Sequence, residues 1–119
     1  MSTAPTPKRG EVRQVDFDPS VGAEIRKVRP AVVMTVTGIG RLPLQILVPL
    51  TDWKPQYAKA SWFVHLPASP SNGLSKDSGA DAFQVKSLSN ARFVQRLGVV
   101  SDAQLDAIAS AIALCVGAP

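Results

Sequence analysis

The stretch Leu44-Gln45-Ile46-Leu47-Val48-Pro49-Leu50-Thr51 decides how this chain is read. Leu44, Ile46, Val48 and Leu50 recur at every second position, the period of a half-buried strand. No other segment of the 119 residues carries that signal so cleanly. Just before it, Ala31–Val36 is an apolar run rich in β-branched residues, with Pro30 at its mouth. A proline can open a strand but lacks the N–H that the middle of a ladder needs, so the run is expected to begin after Pro30. Gly38 and Gly40 mark the turn between the two segments. If the two strands are adjacent and antiparallel, the start of the first lies beside the end of the second.

Working outward, Glu11–Phe17 reads as another strand, with Val12 out of phase and a bulge therefore expected. Asp18-Pro19-Ser20 stops it, and a polar loop runs from Pro19 to Val28. Beyond Thr51, a loop containing Pro55 leads to Trp62, Val64 and Leu66, which alternate and predict a buried Trp62, with His65 half-exposed on the opposite face. Pro67 to Gly79 is a loop holding the Asn72-Gly73 turn pair. Ala80–Val85 and Phe93–Val100 are further strands, linked by the short polar segment Ser87–Arg92. The period then changes. Ser101 and Gln104 form a capping-box pattern, and Leu105, Ile108, Ala109, Ile112, Cys115 and Val116 make one helical stripe that Gly117 ends. The expectation is a mainly β protein, a small barrel of five or six strands covered by one C-terminal α-helix. Residues 1–9 read as a flexible N-terminal tail, not a signal peptide, and residues 10–119 as a single domain without repeats.

Composition narrows the chemistry. Thirteen Lys and Arg against nine Asp and Glu give a net charge of +4, which permits a polyanionic partner. The lone Cys115 cannot form an internal disulfide, so a reducing cytoplasmic setting and a buried thiol are expected. The lone His65 cannot supply a pair of imidazoles or a multi-histidine metal site. No phosphate-binding glycine loop or nucleophile elbow is present, and no apolar run reaches the length of a membrane span. An enzyme of this composition is expected to need no metal and no cofactor, and to rely on Arg, Thr, Asp or Glu.

Positive charge gathers in two segments, Glu24-Ile25-Arg26-Lys27-Val28-Arg29 and the group Lys86, Arg92 and Arg96. Arg29 stands before Pro30 and Thr51 closes the Leu44–Leu50 strand, so antiparallel pairing would bring a guanidinium and a hydroxyl to one cleft. Arg presents a planar fork that matches phosphate oxygens, and Thr adds a compact donor. Together they suit the charge that develops on a pentacoordinate phosphorus. Glu24 is the nearest carboxylate in sequence that could act as a base.

At these residues the chain resembles the MazF/PemK family of toxin endoribonucleases. The resemblance is carried by Val15-Asp16-Phe17-Asp18-Pro19 with Gly22 and Glu24, by Arg29-Pro30-Ala31-Val32-Val33, by Val48-Pro49-Leu50-Thr51, and by Gln84-Val85-Lys86-Ser87-Leu88 with Arg92. It implies an SH3-like barrel of five to seven strands, of the kind shared by CcdB, MazF and PemK, working as a homodimer. It further implies the toxin half of a type II toxin–antitoxin system. Such a toxin is a metal-independent, cytoplasmic enzyme that cuts single-stranded messenger RNA through the ribose 2′-hydroxyl, leaving a 2′,3′-cyclic phosphate and a 5′-hydroxyl. A cognate antitoxin would block the RNA groove, and the two together would bind DNA. By the same resemblance Arg29 and Thr51 are the catalytic pair, with Glu24 supporting them. Gln84, Lys86, Ser87 and Arg92 line the RNA groove, and Arg26, Lys27 and the loop aromatic Trp53 are further RNA contacts. The chain departs from the family pattern at Ile25 and Lys27, where Gln and Gly are usual, at Asp52-Trp53 after Thr51, and at Phe83 in place of an acidic residue. A barrel of the same kind that grips a protein target such as gyrase, or one that binds RNA without cutting it, is the alternative.

Overall fold

The computed structural model describes residues 6–119. Among them run seven strands, β1 (Glu11–Asp16), β2 (Val28–Val33), β3 (Leu44–Asp52), β4 (Phe63–Leu66), β5 (Ser78–Asp81), β6 (Lys86–Ser89) and β7 (Phe93–Val99), then one helix, α1 (Asp102–Val116). The strands pair in the order β4-β5-β3-β2-β1-β7, with β6 also on β3, and every pairing is antiparallel. This is the mainly β barrel with a C-terminal helix that the sequence predicts.

The segment quoted first, β3, is the hub. Its first half, Leu44–Leu47, pairs with β6, and Leu50–Asp52 pairs with β5. Pro49 falls between those two partners, where no ladder bond calls for its missing N–H. Two cores explain why the central strands are apolar on both sides. Val12, Val32, Val48, Leu50, Leu66 and Ile108 gather in one, and Val15, Phe17, Ala31, Val33, Leu47 and Phe93 in the other. The clean alternation therefore holds only in part of β3. Val48 and Leu50 are buried as expected, but Leu44 and Ile46 are about two-fifths exposed while Leu47 is fully buried.

Four other expectations are corrected. β2 starts at Val28, with Pro30 inside it. Phe17 N donates to Lys27 O, so alternate residues of β2 address β1, and Pro30 turns its nitrogen to the other side. On that side the β3 ladder reaches only Ala31↔Pro49, so Pro30 breaks no bond. The segment expected as a polar link contains β6, because Lys86–Ser89 completes the edge of β3. The strand expected over Ala80–Val85 stops at Asp81, whose carboxylate accepts Phe83 N at 3.2 Å and starts a 3₁₀ turn. Trp62 is 39% exposed, because β4 begins only at Phe63 and the Trp62 ring lies outside the core beside Phe83.

The expected bulge appears as two register shifts between β1 and β7. In α1 the Ser101 hydroxyl accepts Gln104 N and the Gln104 side chain accepts Ser101 N, a reciprocal cap of the kind worth about 1 kcal/mol. Ile108 is fully buried beneath the helix, but the stripe outruns the core, leaving Cys115 half-buried and Val116 exposed. Within the stretch expected as a tail, residues 1–5 lie outside the described part. Lys8 N donates to the Glu11 carboxylate, and the Arg9 guanidinium donates to Met34 O.

Glu11 sits at the seam between β1 and β7, between two guanidiniums, Arg13 at 3.0 Å and Arg96 at 2.8 Å. Burial pushes its carboxyl up, but the Lys8 amide, Arg96 and Arg13 outweigh that and hold it below its ordinary value.

Candidate active site

The ends of β2 and β3 open on a cleft of about 370 Å³. Arg29 and Pro30 line one wall and Leu50, Thr51 and Asp52 another, while Gln14 and Leu97 close the floor. The loop after β4 supplies the remaining side with Gly73, Ser75 and Lys76. That loop is fixed by Asn72, whose side-chain oxygen accepts Ser69 N and Leu74 N while its nitrogen donates to Pro67 O. Gly73 has φ +68°, and a Cβ there would stand 2.1 Å from Leu97 O, so no other residue fits.

Arg29 and Thr51 thus share one cleft. The β2–β3 register explains how. Its last pair is Ala31↔Pro49, and two further steps set Arg29 across from Thr51. Both side chains are half-buried. Arg29 Nε donates to Arg26 O at 3.2 Å, which orients the guanidinium, and its terminal nitrogens bond no described residue. A phosphate has two parallel acceptors for such a fork. Lys76 adds a second cation, paired at 3.8 Å with Asp52 in an exposed contact of little energy.

Glu24, Gln84 and Lys86 form a different group that governs the loop before β2. Glu24 Oε1 accepts Val21 N at 2.6 Å and its Oε2 lies 3.8 Å from Lys86 Nζ. Gln84 accepts Ile25 N at 2.7 Å and donates to Asp81 at 3.2 Å. Burial raises the Asp81 carboxyl above its ordinary value, against the pull of its bonds from Gln84 and Phe83. Lys86 also stands 5.7 Å above the Phe17 ring. Lys27 takes φ +68°, the left-handed region that favours glycine, at the position where the resembled family usually carries Gly.

The other expected contacts are dispersed. Arg26 is exposed and donates to Gly22 O at 3.1 Å, and Ser87 is exposed on β6. Arg92 donates to the carbonyls of Asp16 and Asp18, and Arg96 turns to Glu11. The two basic segments therefore do not merge into one patch of free guanidiniums. One face of Trp53 is covered by His65, stacked at 4.2 Å, and Tyr57 meets it edge-on at 5.9 Å. Sequence reasoning missed Gln14 and Lys76. Lys76 follows the Asn72-Gly73 turn by three residues, but only the fold brings that turn to Leu97 and so to the cleft.

An antiparallel sheet of seven strands covered by one C-terminal helix, with an arginine and a threonine at one cleft, is the frame of a small β-barrel domain. Residues 8–116 match the family described as PemK-like, MazF-like toxins of type II toxin–antitoxin systems, and the chain belongs to that family. It is 36% identical over 114 residues to endoribonuclease MazF9 of Mycobacterium tuberculosis (strain ATCC 25618 / H37Rv), covering 90% of this chain and 93% of that protein. Its fold is similar to the crystal structure of MazF from Deinococcus radiodurans, with a TM-score of 0.78, 24% identity, and coverage of 96% of this chain and 99% of that one. It is also similar to a mycobacterial endoribonuclease in complex with its cognate antitoxin, with a TM-score of 0.74, 21% identity, and coverage of 95% and 97%. No helix among the described residues is long and apolar enough to cross a membrane.

Proposed function

We propose that this chain is a toxin endoribonuclease that cuts single-stranded messenger RNA at selected sequences without a metal ion, in the cytoplasm. The observation that carries the reading is Arg29 and Thr51 in one cleft, with the terminal guanidinium nitrogens bonding no described residue. Identity to a relative named as an endoribonuclease supports it. In the reaction the ribose 2′-oxygen attacks the adjacent phosphorus, giving up its proton to a base, as the bond to the 5′-oxygen breaks. The products are a 2′,3′-cyclic phosphate and a 5′-hydroxyl, whose oxygen takes up a proton. Arg29 stabilises the charge on the phosphorane oxygens and Thr51 donates to one of them. Glu24 supports the site by fixing the loop through Val21 and Lys86.

Arg26, Lys27, Lys86, Ser87 and Trp53 make the surrounding contacts to RNA, while Gln84 and Arg92 hold the loop that presents Arg26 and Lys27. A homodimer and a cognate antitoxin that covers the cleft complete the assembly, and toxin and antitoxin together bind DNA. The fold match to an endoribonuclease solved with its antitoxin is consistent with such a partner. The test is cleavage of a long single-stranded RNA in excess EDTA. Wild-type protein should cut it to fragments with cyclic phosphate ends, and Arg29→Ala should not. Wild-type protein inert on diverse RNA would overturn the reading.

A further inference from the structure

Gln14 occupies the middle of β1, opposite Pro30 of β2 and on the face that carries Val12 and Val32 into the first core. By strand alternation a leucine or valine at this position would extend that core to the cleft. A carboxamide stands there instead. Its Oε1 is buried and has no hydrogen-bond partner among the described residues, while the side chain lines the cleft that holds Arg29 and Thr51. Pro30 stands opposite it, Leu50 and Leu97 line the same cleft without a polar side-chain atom, and none of the cleft's polar residues bonds its oxygen. The free protein therefore carries an unmet polar group beside its reactive pair, a state that destabilises it unless a ligand completes the bonding.

We propose that Gln14 is a specificity-determining residue that reads the edge of a nucleobase next to the scissile phosphate. This rests on the RNA-cutting reading above. A base edge offers a donor and an acceptor side by side, and a carboxamide swung into the cleft meets both at once. A site whose own polar group goes unpaired with the wrong base rejects that base far more strongly than an apolar pocket could. Thr51 and Arg29 hold the phosphate, which is common to every sequence. Gln14 supplies the discrimination.

The test is mapping of cut sites on a long RNA by primer extension with wild type, Gln14→Leu, Gln14→Met and Arg29→Ala. Both Gln14 variants place an apolar side chain in an apolar setting, and their folding is checked by thermal denaturation. With either variant, cutting at the wild type's preferred sites should fall tenfold to a hundredfold, and cuts at other sequences should persist, so that preference relaxes at one base position. Arg29→Ala should lose cutting at all sites alike. An unchanged site spectrum, or a uniform loss with preference intact, would overturn the role of Gln14 while leaving the endoribonuclease standing. Wild-type protein that cuts nothing would overturn both.

Discussion

The cleft at the ends of β2 and β3 and the seam between β1 and β7 hold the same kinds of residue in opposite states. In the seam, Arg13 and Arg96 converge on Glu11, and Arg92 donates to two backbone carbonyls at the end of β1. In the cleft, among the described residues, Arg29 bonds only through Nε and leaves its fork open, while Gln14 keeps a buried oxygen unbonded. Net charge does not distinguish the two. What separates the arginines of the seam from Arg29, the one proposed to act on RNA, is whether the fold has already supplied their acceptors.

That contrast can be broken from either side. The largest effect is expected in the seam. Glu11→Gln leaves Arg13 buried beside a neutral partner and should lower stability by about 3–5 kcal/mol in urea denaturation at neutral pH. The acid limb of stability provides a second reading. Because the folded Glu11 carboxyl lies below its ordinary value, its contribution is complete above the unfolded value of about 4.3 and is lost as pH falls through the folded one. Glu11→Gln should remove that part of the acid sensitivity.

In the cleft, Arg29→Ala should cut kcat by about 10²–10³-fold, with the melting temperature nearly unchanged. A large loss of stability there would erase the distinction between the two regions. Thr51→Val keeps the β-branched shape and removes the hydroxyl. Cleavage should drop by about 10–100-fold in a single-turnover assay, and an unaffected rate would remove Thr51 from the reactive pair. The smallest effect is expected for Arg92→Ala. It should cost about 1–2 kcal/mol and raise hydrogen exchange over residues 17–27, with cleavage at saturating RNA changed no more than about twofold.

The elements that were legible from sequence are those whose signals are local. The Ser101–Gln104 cap, the αL glycine at 117 and the Asn72-Gly73 turn each lie within a few residues and appear as expected. The meeting of Arg29 and Thr51 in one cleft is also readable, because it needs only two adjacent strands and a direction. Reading failed where a distant partner decides. β6 exists because β3 has an edge to fill, and Trp62 lies outside because β4 starts one residue later. Nothing within β1 announces that Gln14 shares a cleft with Arg29 and Thr51, because that cleft is assembled from β2, β3 and the loop after β4.

Pro30 has a consequence for what can enter the cleft. Beyond Ala31↔Pro49 the two strands cease to pair, and a gap of that kind invites an extended peptide to zip in by main-chain bonds. Pro30 withholds the donor that such a guest would need at its first step along β2. Strand addition along β2 is thereby hindered at its first step, while a ligand that brings its own acceptors finds the Arg29 fork unbonded among the described residues. A phosphodiester backbone is such a ligand.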